Sequence, residues 1–286
     1  MKFIVGKLGN FTLAEQQEAL VTAVTNAIKQ SRKYGDTSEE TIRQLAEEAA
    51  RQHKKPKAAI KAVRARLHSI MAPYLGDPDY AALAQQFSAA FAAHDEAHIT
   101  ELCLQSLEAH LSTRERLPIM TDFYREIFAV TGQPQSILDI ACALNPLALR
   151  WMFPEISNQL KFYAYDIHEP RIEFINHYFQ LEGLAPLARV QDVAMNFPQE
   201  QADVALFLKE MPRFTRNYGD LGRPLLQALN VHWLVISYPS VSTHGGRNLT
   251  GRYREFMHQI IDGFEWPITE LLFEGELVFI IEKAVK

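Results

Sequence analysis

Apolar positions recur every three or four residues through the first 130 residues, and from about residue 136 they come in short unbroken runs. The first spacing is that of amphipathic helices and the second that of buried strands. A helix over 12–31 opens on a capping box, Thr12 with Glu15, and sets Leu13, Leu20, Val24 and Ile28 on one stripe. A second box, Thr37 with Glu40, opens a helix to about His53 with Ile42, Leu45, Ala46 and Ala49 inward. Lys54-Lys-Pro-Lys57 interrupts it, and a third helix runs to about Met71 with Ile60, Val63, Leu67 and Ile70 on its apolar side. Pro73, Gly76 and Pro78 form a break, after which helices are expected at about 79–93 and 95–111. Ser112 and Glu115 repeat the capping-box spacing and open a helix that reaches about Val130.

The strand runs are 136–140, 161–166, 188–193, 202–208 and 233–238, with helices expected at 146–152, 169–181 and 218–229. Residues 269–273 and 276–281 flank Gly275 as a closing hairpin. Strands separated by helices fold as a mostly parallel, doubly wound α/β sheet. The expected division is therefore an all-helical region over 1–132 and an α/β domain over 133–286. Where the first strand ends, Ala141, Cys142 and Ala143 lead to Asn145, a good N-cap, and Pro146, at the first helical position. Such a turn brings backbone N–H groups to a ligand at the carboxyl end of a strand.

Composition narrows the class. With 48% hydrophobic and 22% charged residues among 286, the chain is an ordinary globular protein. Its apolar runs are too short for a transmembrane helix, and Gly6, Lys7 and Gly9 break the start where a signal peptide would be apolar. A cytoplasmic protein is expected. Two distant cysteines, Cys103 and Cys142, argue against a zinc site or a disulfide framework. The net charge of −5 hides an asymmetry: residues 29–76 hold eleven Lys and Arg against five Asp and Glu, and residues 77–286 hold sixteen against twenty-seven. On the third helix Lys57, Lys61 and Arg64 share a face, which Lys54, Lys55 and Arg66 extend. A helix that needs only solubility usually mixes charge signs, so this block suggests a polyanion-facing surface.

Acidic residues recur along consecutive strands: Asp139 within the first, Asp166 closing the second and Asp192 closing the third. Asp166 follows Ala143 by 23 residues, near the spacing at which a carboxylate takes ribose hydroxyls. The turn lacks G-x-G-x-x-G and the chain lacks GxxxxGK[ST], so neither a dinucleotide nor a nucleoside triphosphate is expected. A phosphate-free nucleoside cofactor, S-adenosylmethionine, fits what remains. Its carboxylate needs a cation, for which Arg114 and Arg116 are the candidates preceding the sheet.

Several separated segments then resemble one family: 33–74, His110-x-Ser-Thr-x-Glu-Arg116, 138–149, Tyr165-Asp-Ile-His168, Val190-Gln-Asp-Val193, Leu208-Lys209 with Pro212, and Ser237-Tyr-Pro-Ser followed by Gly245-Gly-Arg247. The family is that of the aminoglycoside-resistance 16S rRNA methyltransferases that modify N7 of guanosine 1405. The resemblance implies a Rossmann-like class I methyltransferase sheet behind an N-terminal helical domain that grips rRNA in the 30S subunit. It implies S-adenosyl-L-methionine as cofactor, with Arg116 on its carboxylate, residues Ala141, Cys142 and Ala143 lining it, Asp166 at the ribose, and Gln191, Asp192 and Val193 around the adenine; Asp139 and Ile167, near the ends of the first two strands, are further cofactor-binding candidates. Lys209, at the end of the fourth strand, would position the substrate, and Tyr238 either stacks on the flipped base or belongs to the core. Arg247, Arg252 and Arg254 fit phosphate contacts, beside the basic face of the third helix. A monomer without metal or membrane attachment is expected.

Two departures stand out. The family usually has Gly at the position of Ala143, where a Cβ costs about 1–2 kcal/mol if the backbone is left-handed. After Gly246 the chain reads Arg247-Asn-Leu-Thr-Gly-Arg252 where relatives tend to continue Arg-Gly-Lys-Gly. A methyltransferase for another rRNA or tRNA base, and an RNA-binding homologue with weak turnover, remain as alternatives.

Overall fold

The computed structural model describes residues 12–71, 77–242 and 246–283. The break expected at Pro73 and Gly76, the motif residue Gly245, the end of the segment 33–74 and the first residues of the chain lie outside them. The chain forms two compact units, Met1–Ile70 and Met71–Lys286.

The first unit holds α1 (Leu13–Lys29), α2 (Glu39–Gln52) and most of α3 (Pro56–Met71). The box at Thr12 and Glu15 forms as expected, with Thr12 N donating to the Glu15 carboxylate at 2.7 Å. At the second, the cap residue is a different one. Ser38, one residue on, caps α2 by accepting from Thr41 N at 3.3 Å. The buried side of α1 is Val21, Val24, Thr25 and Ile28, whereas Leu13 is 86% exposed. On α3 the buried residues are Ala59, Val63, Leu67 and Met71, so its inward face is turned slightly from the expected stripe. Lys54, Lys55, Lys57, Lys61 and Arg64 are exposed and Arg66 is half-buried.

The second unit is built on a seven-stranded sheet: β1 (Ser136–Ile140), β2 (Lys161–Asp166), β3 (Ala188–Val190), β4 (Gln201–Leu208), β5 (Asn230–Pro239), β6 (Ile268–Phe273) and β7 (Glu276–Glu282). Their order is β3-β2-β1-β4-β5-β7-β6. β1 to β5 are parallel, β7 runs antiparallel to β5, and β6 pairs antiparallel with β7 as the expected hairpin. Successive strand residues point to opposite faces. Ile137, Phe162, Val204, Val235 and Ile280 therefore enter one core, and Leu138, Tyr165, Ala205, Ile236 and Phe279 the other.

The first of these cores explains where the chain divides. It is filled by α4 (Tyr80–Ala92), α5 (Glu96–Ala109), α7 (Met120–Thr131) and α9 (Glu169–Leu181), with the short α6 (Leu111–Arg114) between α5 and α7. Phe87, Leu102, Phe123 and Ile127 are buried against strand side chains, so helices over 80–131 belong with the sheet. The compact units thus separate at Ile70, not near residue 132 as the change in periodicity suggested. After β1, a 3-10 turn over Asn145–Ala148 leads into α8 (Leu149–Met152). The second core is covered by α10 (Met211–Tyr218), α11 (Gly222–Ala228) and α12 (Thr250–Ile261). Neither α10 nor α12 was expected from the sequence. α10 is short and polar, while Tyr253, Met257 and Ile261 on α12 do have a spacing of four that reveals a helix. No described helix is long and apolar enough to cross a membrane.

Candidate functional site

The strand order reverses between β1 and β4, and open α/β sheets bind ligands where the carboxyl ends of such strands part. Three non-glycine residues at this edge are left-handed: Ala141 (φ 53°), Ala143 (φ 48°) and Lys209 (φ 59°). Each costs about 1–2 kcal/mol, and such strain is characteristic of functional turns. The turn closes despite the Cβ of Ala143, whose N–H donates to Asp166 Oδ2 at 3.1 Å. Cys142 N donates to Tyr165 O, which ties the turn to β2, and the Cys142 thiol is buried.

Asp166 ends β2 with its carboxylate held in a fixed plane. Oδ1 accepts from His168 N at 2.9 Å, and Oδ2 accepts from Arg171 Nη1 at 2.8 Å as well as from Ala143. A carboxylate offers about four acceptor positions, so among the described residues one is left on Oδ1. Ile167, beside it, is half-buried. One strand on, Gln191 N donates to Asp166 O, and Asp192 accepts from Ala194 N at 2.9 Å and from Tyr218 OH at 3.2 Å. β3 stops at Val190, so Gln191, Asp192 and the buried Val193 form a turn rather than the end of a strand.

Behind the turn lies a buried polar network that the sequence did not announce. Arg116, 2% exposed, grips Glu276 with two nitrogens, Nε to Oε2 at 3.2 Å and Nη2 to Oε1 at 2.8 Å. Its Nη1 donates to Asn145 Oδ1 at 3.0 Å, which also accepts from Tyr124 OH at 2.6 Å. These bonds use three of the five N–H groups of a guanidinium and leave two without an acceptor among the described residues. Asn145 Nδ2 donates to Asp139 at 2.8 Å. Asn145 is therefore a bridge and not the helix cap its position suggested, since the following 3-10 turn has no side-chain cap. Asp139 is only 1% exposed, and its carboxylate is engaged by Asn145. Burial pushes its carboxyl up to about 8, against the pull of Asn145 and Arg116.

Lys209 belongs to the same network. Its Nζ lies 2.9 Å from Glu115 and 3.3 Å from Glu276, and its backbone N–H donates to Ser237 Oγ at 3.0 Å. The expected box at Ser112 and Glu115 is absent because Glu115 turns to Lys209 and Ser112 bonds to His110. Glu276 was missed as a site residue. The signal was a carboxylate directly before the apolar run 277–281 of β7. Burial raises its carboxyl, but Arg116 and Lys209 more than offset this and hold it below the usual range.

Outside the network is a cleft of about 300 Å³ lined by Glu115, Lys209, Arg213, Arg216, Ser242 and Tyr253, among others. Tyr238 does not line it. Its ring is fully buried, stacked on Tyr253 with centroids 4.6 Å apart. The half-exposed aromatic face at the cleft is that of Tyr253, on the helix missed from the sequence. Arg213 is buried and paired with Glu210, while Arg216, Arg247, Arg252 and Arg114 are exposed. Arg254 is committed to Glu270 by a double contact, Nε to Oε2 at 2.8 Å and Nη2 to Oε1. It is therefore not a spare cation.

A parallel sheet closed by an antiparallel β7, with a carboxylate-lined crevice at its topological switch, is a Rossmann-like class I methyltransferase fold. Residues 30–280 match the ribosomal RNA methyltransferase (FmrO) family, and the chain belongs to it. It is 30% identical to a 16S rRNA (guanine(1405)-N(7))-methyltransferase of Frankia casuarinae, over 93% of this chain and 95% of that one. With the enzyme of the same description from Micromonospora echinospora the identity is 31%, over 93% and 98%. Among solved structures it superimposes on the 16S rRNA methyltransferase RmtF in complex with S-adenosyl-L-homocysteine, with a TM-score of 0.77 and 27% identity over 92% of this chain and 98% of that one. The 16S rRNA methylase RmtB gives a TM-score of 0.76 and 29% identity, with the same coverage.

Proposed function

We propose that this protein is an S-adenosylmethionine-dependent 16S rRNA (guanine-N7)-methyltransferase that modifies guanosine 1405 in the 30S subunit and thereby blocks aminoglycosides. The observation that carries the cofactor reading is Asp166, fixed at the end of β2 with one acceptor position left, beside a left-handed turn at Ala141 and Ala143. The cofactor, when bound, supplies an electrophilic methyl group on a sulfonium. Asp166 takes the ribose hydroxyls, and Gln191, Asp192 and Val193 surround the adenine. The two unmatched N–H groups of Arg116 suit the methionine carboxylate, and Glu276 fixes the plane in which they point.

Guanine N7 carries a lone pair, so the chain needs no base and no metal to activate it. Its work is positioning and exclusion of water. In A-form RNA, N7 faces a deep and narrow groove, so the base must leave the stack at a cost of a few kcal/mol. The cleft at Tyr253 offers a ring for stacking, and Arg216, Arg247 and Arg252 offer cations for flanking phosphates. Lys209 balances Glu115 and Glu276 at the floor of that cleft, so it shapes the pocket more than it grips the substrate. The exposed cations on and before α3 supply the salt-sensitive grip on rRNA. The protein acts as a monomer in the cytoplasm, where its substrate is.

Purified 30S subunits incubated with the protein and labelled cofactor test this reading, with the modified base mapped by primer extension after cleavage at 7-methylguanosine. A signal at guanosine 1405 alone is expected, as is growth of a susceptible bacterium on gentamicin but not on neomycin. Modification of another base would overturn the assignment, and binding without transfer would favour an inactive homologue.

A further inference from the structure

Asp166 is braced from a direction that neither its strand nor the ribose explains. Arg171, in the first turn of α9, is buried and its guanidinium has three prongs engaged. Nη1 donates to Asp166 Oδ2 at 2.8 Å, Nη2 to Asp77 Oδ1 at 2.7 Å, and Nε to Tyr80 OH at 3.0 Å. Tyr80 OH in turn donates to Asp77 Oδ1, which closes a ring of charged and polar groups. Asp77 is not needed as a cap, because Asp79 caps α4 through Ala81 N and Ala82 N. Burial raises the Asp77 carboxyl, but the charge of Arg171 and the hydrogen bonds from Tyr80 and Arg171, with His168, together more than offset it and keep the group ionised. All of these residues lie in the unit Met71–Lys286.

We propose that Arg171 and Asp77 are positioning residues for cofactor binding: they hold Asp166 so that its one unused acceptor position faces the ribose. The reason is geometric. An arginine beside a single carboxylate prefers the bidentate fork, with two parallel N–H bonds to both oxygens. Here Asp77 and Tyr80 draw the other two nitrogens away, so Arg171 meets Asp166 through Oδ2 alone. Remove the Asp77 charge and the fork is released to chelate Asp166 across both oxygens, covering the position on Oδ1. This inference rests on the cofactor reading above and extends it to two residues that touch no ligand.

Calorimetric titration with S-adenosylhomocysteine and with its 2′,3′-dideoxyribosyl analogue tests it on wild type, Asp77→Asn, Arg171→Lys and the double variant. Each single variant should lose about tenfold in affinity for S-adenosylhomocysteine and less than about twofold for the analogue. The double variant should lose no more than the worse single one, because both changes act on one group. Equal losses for the two ligands would reduce the pair to a structural role and overturn the proposal, as would no loss at all. Wild type that holds both ligands equally would show that Asp166 does not grip the ribose, and wild type that binds neither would refute the cofactor reading itself. Should Asp77→Asn fail to fold, Tyr80→Phe keeps the aromatic side chain and removes only the bridging hydroxyl. About a threefold loss confined to S-adenosylhomocysteine is then expected, and no selective loss overturns the idea.

Discussion

The two units of this chain put the same cationic side chains to opposite uses. In the unit Met1–Ile70, thirteen Lys and Arg outnumber seven Asp and Glu. Lys54, Lys55, Lys57, Lys61 and Arg64 stand exposed there, without a carboxylate partner among the described residues. In the unit Met71–Lys286, sixteen cations face twenty-seven anions, and several of them are buried and matched to specific oxygens. Arg116 meets Glu276, Arg171 meets Asp77 and Asp166, Lys209 meets Glu115 and Glu276, and Lys283 caps the carbonyls of Leu226 and Gln227 at the end of α11. Exposed charge acts at range and releases counterions from a polyanion, with little regard for geometry. Buried charge has already given up its hydration, so it is tolerated only where direction and partner are right. One unit therefore suits attraction to RNA, and the other suits holding a small ligand in a fixed pose.

The sharpest test of that contrast is Glu276→Gln. Removing one partner of a buried pair leaves Arg116 uncompensated and Lys209 with Glu115 alone, and should cost about 3–5 kcal/mol of stability at neutral pH, read by urea unfolding. The pH dependence has a definite sign. The carboxyl of Glu276 is held below its ordinary 4.5, so its contribution is complete above that value and is lost as pH falls through the folded value. The gap between wild type and variant should therefore narrow in acid, and a gap independent of pH would show that charge is not its source.

A smaller effect is expected from Lys57→Glu combined with Lys61→Glu. Binding to 30S subunits should weaken by about tenfold or more, and the slope of log affinity against log salt should fall by roughly 0.7–0.9 per lost phosphate contact. Affinity for S-adenosylhomocysteine should stay unchanged. Parallel loss of both would mean that these lysines stabilise the fold and that the comparison between units fails. The smallest effect is that of Ala143→Gly, which relieves a left-handed Cβ but adds backbone freedom to the unfolded chain. A net gain of about 0.5–1 kcal/mol is expected, seen as a raised melting temperature. A lowered one would show that the turn carries no strain.

Much of this architecture was legible locally. The bounds of β1, β2 and α9, the closing hairpin at Gly275, and the cap at Thr12 follow from periodicity and turn chemistry that act over a few residues. The carboxylate at Asp166 was legible for the same reason, because the end of a parallel strand in a doubly wound sheet is a position that the pattern itself marks. Cap choice was less so: Thr37 and Ser38 are both competent, and only the packed start of α2 selected Ser38.

By itself the sequence determined the kind of most elements, α10 and α12 excepted, the parallel sense of the main strands and the segregation of positive charge toward the front. Tertiary structure alone decided that helices over 80–131 join the sheet, that Tyr253 and not Tyr238 meets the cleft, and that Asn145 bridges rather than caps. It also decided that Arg116 finds Glu276 across 160 residues and that Asp77 reaches Arg171 across 94. The physical reason is range. Helix and strand periods are written in neighbouring residues, whereas the partner of a buried charge is whichever oxygen the fold brings within 3 Å of it, and no local pattern records that distance.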